Sequence, residues 1–120
     1  MATLVPLNTF KTVASNLYTN DTLLYATPQE VVTIVLTAQV SNITDSAANV
    51  TFIHRSNILS GGFRITTDTE LVKNFEIARN DAASVIVGKI VLEEDHSILA
   101  RSGANAALKI VLSLLETSLQ

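Results

Sequence analysis

The stretch that constrains this chain most runs from Ala106 to Glu116, A-A-L-K-I-V-L-S-L-L-E. Leu108, Ile110, Leu112 and Leu114 recur at every second position and form one apolar face. Lys109 and Ser113 lie on the other side, so the period is that of a strand half-buried against a second layer. A matching series, Val32, Ile34, Leu36, Ala38 and Val40, predicts one apolar face of an earlier long strand. Two such strands with shorter ones between them predict an antiparallel sandwich.

The residue bias agrees. Val, Ile and Thr recur throughout, and β-branched side chains lose little freedom in a strand. At 120 residues the chain is predicted to make a single domain around one core. Hydrophobic residues make up 48% against 16% charged, with a mean hydropathy of +0.36. Thr, Gln, Ser or Lys interrupts every apolar run well short of the ~18 residues of a membrane span. The surplus therefore belongs in a core and in subunit contacts. Net charge is −3 and no basic cluster exists, which argues against nucleic-acid binding. Cysteine is absent, excluding disulfides and thiolate metal sites within this sequence. Met1-Ala2-Thr3-Leu4 lacks the basic start and apolar core of a secretory signal, so the expectation is folding in a reducing cytoplasm.

In chain order, residues 1–19 are expected to form an extended N-terminal arm leading into an edge strand, and residues 20–120 the sandwich domain. Thr22–Ala26 reads as a short strand stopped before Pro28. Glu30–Ser41 is the first long strand, Asn42–Ala48 a loop, and Asn49–Arg55 the return strand. Ser56–Gly62, with the only Gly pair, reads as a flexible loop. Phe63–Thr66 and Thr69–Phe75 read as strands around a Thr67-Asp68 turn. Val87-Gly88 reads as a two-residue hairpin turn between Ala83–Ile86 and Lys89–Leu92. Glu93–His96 is an acidic turn, and Ser97–Arg101 a strand before the last. Turn signals every 8–12 residues give about eight strands, the spacing of a jelly-roll or immunoglobulin-like sandwich.

Chemistry finds little purchase. His54 and His96 are the only histidines, and the Glu93-Glu94-Asp95 run beside His96 cannot converge on one ion, since metal ligands come from spaced positions. No Gly-x-Ser-x-Gly elbow presents a serine nucleophile. Glu93 and Glu94 alternate faces if extended, unlike a glycosidase pair. Gly61-Gly62 lacks the Lys-Ser/Thr sequel of a phosphate loop. Asn20-Asp21-Thr22, Asn42-Ile43-Thr44 and Asn49-Val50-Thr51 match the glycosylation acceptor pattern, which arises by chance in a chain rich in Asn and Thr. No catalytic residue, cofactor or metal is predicted.

Leu24-Tyr25-Ala26-Thr27-Pro28, the strand phrase Val35–Val40, Val87-Gly88-Lys89-Ile90-Val91-Leu92-Glu93 and the closing Ile110–Glu116 resemble small β-sandwich virion proteins of tailed bacteriophages, including those of cyanophages. The likeness runs over residues 20–118. It departs at Val87, where the group has Asp, at Glu94-Asp95-His96, where it has Ala-Gly-Asp, and over Asn57–Phe75.

The resemblance implies a non-enzymatic structural role in a virion assembled in the host cytoplasm. The expected role is a self-associating decoration or cement protein, a trimer by first expectation, that meets the major capsid protein or other virion proteins. The alternative is a neck, tail or fibre component serving as an adhesin or receptor-binding module. Neither nucleic acid nor membrane is an expected partner. Candidate interface residues are Leu4, Leu7, Phe10 and Val13 in the arm, Leu59 and Phe63 around the glycine loop, and Val111 and Leu115 on the second face of the last strand.

Overall fold

The structure is a computed structural model that describes residues 8–118. Nine strands and no helix occur among them. They are β1 (Asn8–Asn16), β2 (Thr22–Ala26), β3 (Val31–Asn42), β4 (Ala48–Ser60) and β5 (Phe63–Ile77), followed by β6 (Asp81–Ser84), β7 (Ile90–Leu92), β8 (Ser97–Ser102) and β9 (Leu108–Ser118). One antiparallel sheet has the order β1-β9-β3-β6, with β7 also on β3; the other runs β2-β8-β4-β5. The chain passes back and forth between the two sheets, which is the double Greek key of a jelly roll. β6 and β7 pair with successive parts of β3, at Gln39–Asn42 and Thr33–Val35, and so share one edge position. That division makes nine strands where about eight were expected.

β9 lies between β1 and β3, at the centre of its sheet. Leu108, Ile110, Leu112 and Leu114 are fully buried, as their period of two predicts. They meet Val50, Phe52, Ile98 and Ala100 of the opposite sheet in one core.

β3 departs from its reading. Its buried residues are Thr33 and Val35, then Ala38, Val40 and Asn42. The pairing with β9 slips between Val35 and Thr37, so Leu36 is a bulge without a partner. The extra residue reverses the alternation. Val32 and Ile34 therefore face outward, although the even-numbered series placed them in the core. The edge partner of β3 is interrupted at the same level: after the Val85 amide donates to the Ala38 carbonyl, residues 86–89 leave the ladder, and Val87-Gly88 is a bend in this connection rather than a β6–β7 hairpin.

The segment read as a flexible loop is strand. β4 continues through Ser60, and Gly61-Gly62 alone form the turn, with φ of 58° and 84°. Two successive positive φ values suit a two-residue primed turn, and glycine reaches them without a Cβ clash. Thr67-Asp68 is likewise no turn. β5 runs unbroken through it, with Arg55 opposite Asp68. Beyond Arg55 strand β4 has left β8 behind, and it pairs with β5 alone out to Ser60 opposite Phe63.

The loop after β3 is built on Asn42, which is fully buried. Its Nδ2 donates to the Ser46 and Ile77 carbonyls at 2.8 and 3.1 Å, while Oδ1 accepts from the Thr44 amide and hydroxyl at 3.0 and 2.7 Å. A buried amide with every group paired adds no desolvation penalty. The first Asn of the Asn42-Ile43-Thr44 acceptor pattern thus has both N–H groups engaged inside the fold.

Candidate interaction surfaces

Three parts of the molecule depart from a plain sandwich: the outer face of the β1-β9-β3 sheet, the β4–β5 hairpin extension, and two polar clusters near the start of β8.

On the outer face, register places Phe10 opposite Leu115, Leu115 opposite Ile34, and Ile34 opposite Val91. These four apolar side chains form one row across β1, β9, β3 and β7. Phe10 is 75% exposed and Val91 56%, with Leu115 and Ile34 half-buried between them. A parallel row holds Ala14, Val111 and Gln39. Val111 is 42% exposed. Thr12, Ser113 and Thr37 separate the two rows. A solvated face of an antiparallel sheet normally carries polar or charged side chains throughout, whereas here the polar residues are interrupted by two apolar rows.

Of the candidate interface residues, Phe10, Leu115 and Val111 come together here. Val13 does not: opposite Leu112, it turns inward and packs on the core. Leu4 and Leu7 lie outside the described residues. The arm itself, over residues 8–16, is the edge strand β1. Ile34 and Val91 were missed; only the β3 bulge turns Ile34 outward, and a bulge leaves no mark in an apolar count.

Leu59 and Phe63 sit at the other candidate surface, the hairpin tip, 65% and 75% exposed. Ile58 and Ile65 form a cross-strand pair just behind, both more than half exposed. Arg64 ties the extension to the turn before β8 through Asp95 at 3.2 Å, and Asp95 also accepts from Gln29 at 2.8 Å. The acidic turn is thus a brace, with Asp95 at φ 64° and Glu94 accepting the Glu30 amide at 2.8 Å.

At one end of the sandwich the sheets are tied by polar atoms. Tyr25 of β2 donates its hydroxyl to Glu116 of β9, and lies 2.8 Å from the Thr33 hydroxyl of β3. Lys11 of β1 stands 3.3 Å from the other Glu116 oxygen. Burial, and then the Glu116 hydrogen bond, push the Tyr25 phenol above its ordinary range.

His54 and His96, distant in sequence, also meet. His54 Nε2 lies 3.3 Å from His96 Nδ1, with the rings edge to face at 5.1 Å. Burial, then the neighbouring His96, lower the His54 pKa. A hollow of about 340 Å³ opens beside them, walled by Asn57, Ile58, Val32 and Glu94. No group of three or more His, Asp or Glu that could hold a metal ion occurs among the described residues. The contact follows from register, because His54 lies opposite Ile98, two residues from His96 on the same face.

No family model matches the chain, and no curated protein matches it in sequence. Among solved structures it is similar to a chain described in the words "Bacillus endospore appendages form a novel family of disulfide-linked pili". Identity is 16% and the TM-score 0.50, over 94% of this chain and 88% of that one. Likeness at this level is one of fold, the β-sandwich.

Proposed function

We propose that this protein is a non-enzymatic structural subunit that works by associating with copies of itself. The observation carrying the reading is the apolar row Phe10–Leu115–Ile34–Val91, laid open on the outer face of a sheet. A side chain such as Phe10, three-quarters exposed in the isolated chain, gains by leaving water in an assembly. The hairpin tip, with Leu59 and Phe63, is a second contact surface of the same kind. The titrating groups that do converge, Tyr25 with Glu116 and Lys11, and His54 with His96, are engaged with one another as ties between strands, which favours assembly over catalysis. A distant fold relative described as forming pili supports the same class, although a chain without cysteine has no disulfide linkage to contribute.

The setting we propose is the virion of a tailed phage, with the subunit decorating or cementing the capsid, because the strand phrases resemble that group. Many weak copies on a lattice add up to a stable shell. Sedimentation velocity of the purified chain over a hundredfold concentration range tests the first half of the reading. A species larger than a monomer is expected, and strict monomer throughout refutes self-association. Binding of the labelled chain to purified heads tests the setting; binding to host cells instead would make it an adhesin.

A further inference from the structure

The sandwich has four strand edges, and three of them are spoiled for pairing. β2 has five residues and a register shift between Leu23 and Tyr25. β6 and β7 are four and three residues long. β5 is long, but its ladder with β4 slips twice, Asn74 has φ 50°, and Arg64, Asp68, Glu70, Lys73 and Glu76 line it. Short length, bulges and charges are how natural sheets keep strangers from adding a strand.

β1 carries almost none of this. Its nine residues pair with β9 one for one, Asn8 opposite Thr117 through Asn16 opposite Lys109, without a slip. It has neither Pro nor Gly. Its one ionisable side chain, Lys11, lies on the inner face opposite Leu114, half exposed at the rim, and is matched by Glu116 at 3.3 Å. Among the described residues nothing pairs with the other edge of β1. Unpaired N–H and C=O groups therefore stand along a regular edge whose one charge is matched.

The sequence of β1 indicates what they fit. Asn8-Thr9-Phe10-Lys11-Thr12-Val13-Ala14-Ser15-Asn16 reads nearly alike in both directions. If a second β1 runs antiparallel about Thr12, Asn8 meets Asn16, Thr9 meets Ser15, Phe10 meets Ala14, Lys11 meets Val13, and Thr12 meets itself. Lys11 against Val13 on the inner face is the one unlike pair; elsewhere polar residues face polar ones, the apolar pair falls on the outer face, and no like charges are opposed. A contact between identical surfaces about a two-fold axis demands this self-complementarity. A foreign strand would not.

Resting on the reading that the chain self-associates, we infer that two copies join β1 to β1 about Thr12, making one continuous sheet across the pair. The apolar rows then run on through the seam. Val91, Ile34, Leu115 and Phe10 of one copy continue into the other copy's Ala14 and Val111 row, and the reverse holds on the far side of the axis. Thr12, itself exposed, lies on the axis.

Because the chain has no cysteine, T12C gives a clean test. Opposed residues of an antiparallel pair have Cα atoms ~4.5–5.5 Å apart, within disulfide reach. Air-oxidised T12C is expected to run as a disulfide-linked dimer. A14C alone should stay unlinked, and a mixture of F10C and A14C should cross-link. T12K opposes two like charges at the seam, so dimer affinity should fall about tenfold or more while the stability of the dilute monomer is unchanged. Mixing T12K with T12E should restore the dimer. A chain that self-associates while T12C stays unlinked and T12K has no effect overturns the seam but leaves self-association standing. Linking of A14C alone overturns the register, and a trimer indifferent to these changes points to a head-to-tail contact instead. A chain monomeric at every concentration removes both readings together.

Discussion

β9 and β5 are both long strands of ordinary β sequence, and the molecule uses them in opposite ways. β9 has a neighbour on each side and a sheet facing it, so four of its leucines and isoleucines are fully buried. β5 has β4 on one side only, and of its fifteen residues just Ile77 is buried, with Val72 half-buried. Apolar content does not separate the two. Phe63, Ile65, Leu71 and Phe75 are as apolar as anything in β9, yet each is more than 40% exposed. What decides burial is how many elements pack around a strand. The chain therefore has a part that holds it folded and a part that is spent outward.

Truncating the core strand should cost most. Leu112→Ala removes a fully buried side chain at the centre of the sandwich and is expected to lose ~2–5 kcal/mol in urea denaturation. A loss under about 1 kcal/mol would mean that β9 is not the core strand its burial makes it. Tyr25→Phe comes next. It takes the hydroxyl from Glu116 and Thr33, leaving a poorly hydrated carboxylate with Lys11, and should cost ~1–3 kcal/mol by the same measurement.

The base of the hairpin extension should respond to pH. The folded His54 has a pKa below its ordinary 6.5, so in acid the unfolded chain takes up this proton first. Stability is full above about pH 6.5 and falls as pH drops through the window down to the lower folded value. The melting temperature between pH 7.5 and 5 should accordingly slope less in His54→Asn than in the parent, and equal slopes would remove the histidine contact as a source. The smallest effect belongs to the tip: Phe63→Ala should change stability by less than about 0.5 kcal/mol. A larger loss would show that the tip folds back on its own chain.

Much of this contrast is legible in the residues, and some is not. The buried face of β9 and the strand class follow from a period of two. Val111 and Leu115 could be recognised as apolar on the wrong side because the pattern around them is regular. Ile34 could not, because one unpaired residue, Leu36, reverses the face of half a strand while leaving composition untouched. The glycine pair misled in a different way. Two glycines permit a floppy loop or a tight primed turn, and the choice depends on whether the flanking residues find each other, as Ile58 finds Ile65. The ties between Tyr25 and Glu116, and between His54 and His96, join residues 91 and 42 positions apart. Such pairs exist only once the topology does.

The place of β9 between β1 and β3 has a further consequence, in time. Both neighbours are synthesised long before it, β1 ending at Asn16 and β3 at Asn42, while β9 begins at Leu108. On the ribosome this sheet has two flanks and no middle until the ninth strand emerges. Contacts closed over such long separations are slow to form, and unpaired strand edges are prone to aggregate while they wait. The sheet can therefore close only once β9 has been made, and until then β1 and β3 wait with the edges that face it unfilled.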